Sequence, residues 1–198
     1  MIAGMTILLV GLVLFLGVHS VRIFAEDWRG RVVAARGPMT WKGLYSLVAI
    51  AGFALIVVGF GQARLQPVVL WTPPRWTHDV AGLLTLLAFV LVAAAYVPRN
   101  AIKARLKDPM ILGVKCWALG HLLANGTLAD EVLFGAFLAW GVADFRAARR
   151  RRPAAGAAAA APPAAAFTAL TVVVGALAWA AFAFDLHARL IGVRPFGF

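Results

Sequence analysis

Long apolar runs are the feature that most constrains what this chain can fold into. An α-helix needs roughly 20 predominantly apolar residues to cross the hydrocarbon core of a bilayer. The first three of its six apolar segments, and the last, approach or exceed this length. The six segments alternate with polar, mostly basic stretches, at Ile2–Phe24, Trp41–Gly61, Thr77–Val97, Pro109–Ala124, Thr127–Phe145 and Ala165–Leu186. The pattern predicts an all-α fold, a polytopic transmembrane bundle of about six helices.

The fourth and fifth segments are predicted to be short helices that either form a tight hairpin or lie partly below the far membrane interface. At a rise of about 1.5 Å per residue, the fourth segment covers only about 24 Å. Asp108 and Pro109 are typical of a helix start, because Asp caps helices and Pro suits the first turn. Asn125 and Gly126 predict a turn that ends the fourth helix, and Thr127 is predicted to cap the fifth.

The composition supports a membrane protein. Of the 198 residues, 63% are hydrophobic and only 14% are charged, whereas soluble domains carry roughly 25% charged residues. The length fits a single domain over residues 1–198, in which the low-complexity stretch at about 149–166 is predicted to be a cytoplasmic linker. The one cysteine, Cys116, lacks both a disulfide partner and a CxxC neighbour, so it is predicted to pack within its helix.

The net charge of +11 does not indicate a nucleic-acid-binding protein, because the basic residues form short clusters between apolar segments. Fourteen of the 19 Lys and Arg residues lie at or just after the ends of the first, third and fifth segments, if Arg22 near the end of the first and Lys42 at the start of the second are included. Cytoplasmic loops of membrane proteins carry such an excess. The distribution predicts a multi-pass protein with both termini outside the cytoplasm, in contact with membrane lipid.

Two of the four histidines, His19 and His121, lie well inside predicted spans, whereas His78 and His187 lie at the outer ends of spans. An ionisable side chain inside a span is costly and is a functional candidate by default. His19 and His121 lie about 14 and about 18 Å from the expected cytoplasmic ends of their helices. Because these depths are similar, we expect the two imidazoles to face each other inside the bundle.

Two facing imidazoles suit the axial positions of a haem iron, and helix bundles hold such cofactors in their cores. Arg22, three residues after His19, and Lys115 are predicted to meet the haem propionates. Small residues that permit close approach of a flat ring or of another helix lie along both segments, at Gly11, Gly17, Gly113, Gly120 and Ala124. Residue spacing alone leaves three interpretations open: non-covalent haem, polar helix packing, and proton or substrate chemistry.

The chain resembles the NnrU family of bacterial membrane proteins over nearly its whole length. The resemblance is carried by "FLGVHSVRI" (15–23), "WKGLYSLVAIAGFALI" (41–56), "LWTPPRW" (70–76), the block from "AAYVPRN" to "FGAFLAW" (94–140) and the ending "LIGVRPF". It implies a bacterial inner (plasma) membrane location. It also implies an association with denitrification, and so with respiratory or denitrification proteins as partners.

A more distant resemblance connects the chain to the plant and cyanobacterial 15-cis-zeta-carotene isomerases. It is carried by a Gly/His/Ser element around His19 and by a Trp-x-x-(Ala/Gly)-His element from Trp117 to His121. The two histidines of these elements are the proposed axial ligands of haem b in those enzymes. The resemblance therefore implies haem b as cofactor, with His19 and His121 as the metal ligands.

The chain departs from these relatives at two places. Asp108 stands where both groups usually have His before Pro109, and Ala63 stands where the isomerases carry a further histidine. A relay or ligand role at either position is therefore not expected here, and haem binding without isomerisation is compatible with the sequence.

Three functional hypotheses follow. The first is a haem b-binding protein with redox-linked isomerase activity on an isoprenoid-like lipid. The second is a non-enzymatic membrane protein that supports denitrification or other respiratory enzymes. The third is a relative of isoprenylcysteine-type methyltransferases, suggested by Lys107-Asp108-Pro109 before the predicted hairpin.

Overall fold

The computed structural model describes residues 2–151 and 161–196, and the all-α prediction is confirmed for this part of the chain. The helices, in chain order, are α1 (Ile2–Phe24), α2 (Glu26–Arg36), α3 (Pro38–Ala63), α4 (Arg75–Tyr96), α5 (Ala101–Leu106), α6 (Pro109–Ala124), α7 (Leu128–Arg150), α8 (Ala165–Ala181) and α9 (His187–Ile191). A π-helical turn, Phe182–Leu186, connects α8 to α9. The predicted linker at 149–166 falls mainly on residues 152–160, outside the described part.

The chain divides into two compact units. Unit 1 comprises Met1–Trp71 and Gly126–Ala147, and unit 2 comprises Thr72–Asn125 and Ala148–Phe198. Unit 1 therefore contains α1, α2, α3 and most of α7, whereas unit 2 contains α4, α5, α6, α8 and α9.

In unit 1, α1 and α3 pack as an antiparallel pair whose backbones meet at glycines. A Cβ atom added at Gly11 would lie 2.6 Å from the Ile56 nitrogen, and one added at Gly52 would lie 2.6 Å from the Phe15 nitrogen. One added at Gly59 would overlap the backbone of Leu8. Small residues at the contact are how apolar helices approach closely in a membrane.

The α2–α3 junction depends on Gly37. This glycine has φ of +81°, a conformation that L side chains rarely adopt. Pro38 follows at the first position of α3, where its missing N–H costs nothing. The chain therefore turns sharply between a polar helix and an apolar one.

Unit 2 is built in the same way around α4. The predicted glycine stripe of α6 lies against it: a Cβ at Gly113 would be 3.0 Å from the Ala88 oxygen, and one at Gly120 would be 3.3 Å from the Ala81 oxygen. On α8, a Cβ at Gly175 would be 2.5 Å from the Val90 Cα. These glycines serve helix packing, one of the interpretations that the sequence left open.

Four helices are long and apolar enough to cross a membrane, which matches the four predicted full spans. They are Ile2–Phe24, Pro38–Ala63, Arg75–Tyr96 and Ala165–Ile191, the last of which includes the π-helical turn. The prediction of α6 as a short apolar helix is confirmed, with the predicted bounds Pro109–Ala124.

The prediction that the fifth segment is short is wrong. Helix α7 has 23 residues and continues past Phe145 to end at Arg150. It carries Asp130 and Glu131 in its first turn and two arginines in its last, which complements the helix dipole. Charged residues therefore form both ends of α7, and a search for apolar runs does not count such residues as part of the segment.

The loop after α3 pairs with the start of α7 inside unit 1. The Leu70 N–H donates to the Gly126 oxygen over 2.8 Å, and the Leu128 N–H donates to the Val68 oxygen over 2.8 Å. The Trp71 indole donates to the Glu131 carboxylate over 3.2 Å. Within the described ranges, β-structure is limited to the single bridge between residues 69 and 127.

Candidate functional site

His19 lies on α1 in unit 1, with its ring fixed by its own helix. Nδ1 lies 2.6 Å from the Phe15 carbonyl oxygen, four residues earlier. Because a carbonyl oxygen only accepts, Nδ1 must carry the proton that it donates. In the neutral ring, Nε2 is then the unprotonated nitrogen, the form that binds a metal.

Aromatic rings surround the His19 imidazole. The ring centroids of Phe15 and Tyr45 lie 4.2 and 5.1 Å from it, and Trp140 of α7 meets it edge-on at 6.0 Å. Trp140 Nε1 is buried and has no hydrogen-bond partner among the described residues. Buried donors normally have a partner, so this one is compatible with an additional group beside His19.

A cavity of about 270 Å³ opens next to His19. Its walls are contributed by the end of α1, by α2 and by the start of α3: Val18, His19, Arg22, Arg29, Trp41, Lys42 and Tyr45. Three of these seven side chains are cationic and three are aromatic or imidazole rings. The cavity is thus suited to a group that combines negative charge with a flat or apolar body.

Glu26 organises two of the cavity's cations. Its carboxylate accepts from Arg29 Nε and Nη2 over 3.0 and 2.8 Å, and it lies 3.6 Å from Arg22 Nε. The hydrogen bonds to Glu26 raise the pKa of Arg29 above its already high value. Arg29 is therefore a permanent cation at the cavity.

His121 lies on α6 in unit 2 and has the same local geometry as His19. Its Nδ1 lies 2.9 Å from the Trp117 carbonyl oxygen, again four residues earlier. The His121 carbonyl oxygen in turn accepts from the backbone N–H and the side-chain amide of Asn125. Asn125 is the C-terminal cap of α6, which confirms its prediction as a helix-ending residue.

The structure brings two of the four predicted site residues together. His19 and Arg22 line the same cavity, because three residues along a helix return to nearly the same face. His121 and Lys115 share α6, but six residues at about 100° each turn the helix by roughly 240°, so they lie on different sides. The facing of His19 and His121 stays a prediction, as do the propionate contacts of Arg22 and Lys115.

The sequence does not identify Arg29, Lys42, Tyr45 or Trp140 as neighbours of His19. Arg29 lies on α2, whose polar sequence carries no apolar signal. Lys42 and Tyr45 lie near the start of α3, and the antiparallel packing of α3 against α1 returns them to the end of α1. The one available signal is the aromatic and basic content of the segment around Trp41.

The donor set fits a haem better than a bare metal ion. Among the residues that the structure describes, no group of three or more His, Cys, Asp or Glu side chains is placed to hold an ion. Haem iron needs only one or two protein ligands, since the macrocycle supplies the other four. An imidazole with a free Nε2, an arginine beside it and an orphan indole donor are consistent with that group.

Comparison with known proteins gives one family. The family described as "NnrU protein" matches residues 7–195, nearly the whole chain. Neither the curated proteins nor the solved structures gave a match.

Proposed function

The chain belongs to the NnrU family, and from this premise we propose that it is a haem b-binding protein of the bacterial inner membrane. His19 is the ligand that the geometry supports best, with His121 as its partner. The observation that carries the proposal is the Nδ1–Phe15 hydrogen bond of 2.6 Å, because it leaves Nε2 as the unprotonated nitrogen of a neutral His19 ring. Hydrogen bonding of the second ring nitrogen is the usual way that proteins orient a metal-bound histidine.

The remaining residues have supporting roles in this proposal. Arg22 meets a propionate at the cavity, and Lys115 is the corresponding candidate on α6. The rings of Phe15 and Tyr45 exclude water from the imidazole face. When bound, haem supplies one-electron redox chemistry, and we propose isomerisation of an isoprenoid-like lipid as the reaction class that it serves.

The prediction is tested by absorption spectroscopy of protein purified in mild detergent from cells supplied with haem. We expect a Soret band in the wild type that is lost or shifted in His19→Ala and in His121→Ala. His78→Ala is the matched control, because His78 is an exposed histidine and should leave the spectrum unchanged.

Two results would contradict the proposal: a wild-type protein without a Soret band, or a band that survives unchanged in both ligand variants. Isomerase activity is tested separately from haem binding. If the protein binds haem but converts no isoprenoid lipid, the proposed cofactor stands and the proposed isomerase activity is rejected.

A non-enzymatic role in support of respiratory or denitrification enzymes is the second candidate. It is favoured by the contacts of Gly11, Gly113 and Gly120, which are explained by helix packing alone. Under this proposal the histidines are packing elements. Recovery of a stoichiometric respiratory partner with haem-free protein would support it.

For the orientation, we propose that the basic end of each unit faces the cytoplasm. In unit 1, α1 is antiparallel to α3, and Phe137 and Trp140 of α7 lie beside Phe15 and His19. The basic residues after α1 therefore gather at the end where Arg146 of α7 lies. In unit 2 the basic residues of 99–107 follow the end of α4, as the positive-inside rule expects.

A further inference from the structure

We propose that the cavity between α1, α2 and α3 of unit 1 binds the phosphate head group of an anionic membrane lipid, with Arg29 and Lys42 as its main contacts. His19 also lines this cavity, but the proposed phosphate contacts, Arg29 and Lys42, are not haem ligands, and the proposal does not require haem. Its support comes from charge, from the shape of the cation cluster and from its position relative to the apolar helices.

The charge of the cavity lining is entirely positive. Arg22, Arg29 and Lys42 line it, and no acidic side chain does. Glu26 bonds the two arginines from outside the lining, and Asp144 of α7 lies close enough to act on Tyr45 of the lining, so these five charged groups retain a net charge of +1. A surplus of cations around a pocket is what an oxyanion needs.

The two main contacts are available for a ligand. An arginine has five N–H donors, and the Glu26 carboxylate engages Arg29 only through Nε and Nη2. This bidentate contact holds the guanidinium in place without using all of its donors. Lys42 is exposed, and its side-chain ammonium makes no hydrogen bond or ion pair with the residues described in 2–151 and 161–196.

The position of the cavity matches that of a lipid head group. It lies at the end of α1 and the start of α3, two helices long and apolar enough to cross a membrane. Trp28 and Trp41 lie edge-on beside it with ring centroids 5.7 Å apart, as aromatic residues do at membrane interfaces.

Apolar side chains are exposed on α3 next to the cavity, on the side of the helix that turns away from α1. Leu44, Leu47 and Ile50 follow Lys42 and are 57%, 67% and 67% exposed. A lipid whose phosphate lies at the cations would have the apolar surface of α3 within reach of its acyl chains. An amphiphile therefore fits the whole arrangement, whereas a free phosphate uses only its charged end.

The test measures lipid affinity from the rise in thermal unfolding midpoint as phosphatidylglycerol is titrated into haem-free protein in a non-ionic detergent. Phosphatidylcholine and inorganic phosphate are titrated in parallel. We expect the wild type to bind phosphatidylglycerol more tightly than phosphatidylcholine. Arg29→Gln/Lys42→Gln should bind phosphatidylglycerol about 30-fold more weakly, because each basic residue near an anionic lipid surface contributes about 1 kcal/mol of binding free energy.

The matched control is Arg31→Gln/Arg36→Gln, which removes the same charge from α2 at exposed positions outside the cavity. It should keep the wild-type affinity. If the first double variant does not fold, Lys42→Gln alone should still bind phosphatidylglycerol about 5-fold more weakly.

Three outcomes would overturn the proposal. One is equal affinity for phosphatidylglycerol and phosphatidylcholine. Another is an equal loss of affinity in the control pair, which would indicate a diffuse charge effect. The third is equal protection by inorganic phosphate, which would make the ligand a free anion. The haem spectrum of the same variants is recorded separately, so that failure of either proposal is recognised on its own.

Discussion

At the scale of single residues, Gly126 decides how the loop after α3 meets the start of α7. Its carbonyl oxygen accepts from Leu70, and a Cβ atom at position 126 would overlap the Trp71 carbonyl oxygen. The contact is backbone against backbone, so no side-chain rotation can relieve it. Glycine is needed at position 126 because there is no space for a side chain, and not because of the backbone conformation, since Gly126 is not among the residues with positive φ.

We expect Gly126→Ala to destabilise the protein by about 1–3 kcal/mol, the usual cost of forcing extra atoms into a packed site. The measurement is the thermal unfolding midpoint in detergent. Gly135→Ala is the matched control, because a Cβ at Gly135 on α7 meets nothing within 4 Å. Equal midpoints for the two variants would contradict the expected overlap.

Thr127 and Asp130 form a reciprocal cap at the start of α7. The Thr127 hydroxyl accepts from the Asp130 N–H over 3.4 Å, and the Asp130 carboxylate accepts from the Thr127 N–H over 3.3 Å. This arrangement confirms Thr127 as the predicted cap, whereas Asp108 at the start of α6 makes no capping hydrogen bond with its side chain.

Replacing the cap has a measurable cost. Thr127→Ala should lower the stability by about 1 kcal/mol, because helix N–H groups lose their acceptor. Thr127→Ser retains the hydroxyl and should remain close to the wild type in the same thermal unfolding experiment. A Ser variant as unstable as the Ala variant would show that the lost methyl group, not the cap, is responsible.

At the scale of elements, the α1–α3 pair depends on glycines that lie at the contact, and α3 offers its own comparison. Gly59 faces Leu8 closely, whereas a Cβ at Gly61 meets nothing within 4 Å. Both glycines lie in the last two turns of the same helix, so their intrinsic helix propensity is comparable.

We expect opposite signs for the two alanine variants. Gly59→Ala should cost about 1–3 kcal/mol through overlap with the α1 backbone, while Gly61→Ala should be neutral or stabilising by up to about 1 kcal/mol. Thermal unfolding of the purified variants checks this. Stabilisation by Gly59→Ala would show that the two helices do not approach as closely as described.

The elements also show where sequence reasoning succeeds. The bounds Ile2–Phe24 and Pro109–Ala124 are those of α1 and α6, because a change from apolar to polar residues, or a proline, marks each end. Helix α2 is not predicted, since its polar sequence has no apolar run. Placing His19 about 14 Å from the inner end of its helix assumes that the first span continues through these residues, whereas α1 ends at Phe24 and α2 is a separate helix.

In the candidate site too, some residues can be recognised from the sequence and others cannot. His19 and Arg22 are recognisable from sequence, because an ionisable residue in an apolar run stands out and its helical neighbours follow from the period. Arg29, Lys42 and Trp140 reach His19 only through the packing of α2, α3 and α7. Contacts between residues so distant in sequence depend on how the helices pack, which the pattern of one segment does not contain.

At the scale of the whole molecule, four helices are long and apolar enough to be membrane spans, and basic residues cluster in the loops that the positive-inside rule assigns to the cytoplasm. Length and composition identify these helices but not the direction in which they cross. That direction needs an experiment.

Cysteine accessibility tests the direction. In a Cys116→Ala background, Thr72→Cys should react with a membrane-impermeant maleimide in cells whose outer membrane has been permeabilised. Ala104→Cys, in the basic segment of α5, should react only after the inner membrane is opened. Both positions are exposed in the structure, so a reversed pattern would mean a reversed orientation.

Helix α7 has a consequence for how the protein is made. Asp130, Glu131 and Asp144 lie within it, and acidic residues oppose the transfer of an isolated helix from the translocon into lipid. The chain emerges N-terminus first, so α1 and α3 are already synthesised when α7 leaves the ribosome. Since α7 is not among the four helices of the described residues that are apolar enough to span a membrane alone, we expect it to assemble onto the earlier α1 and α3, so that the order of synthesis becomes part of the information that assembles unit 1.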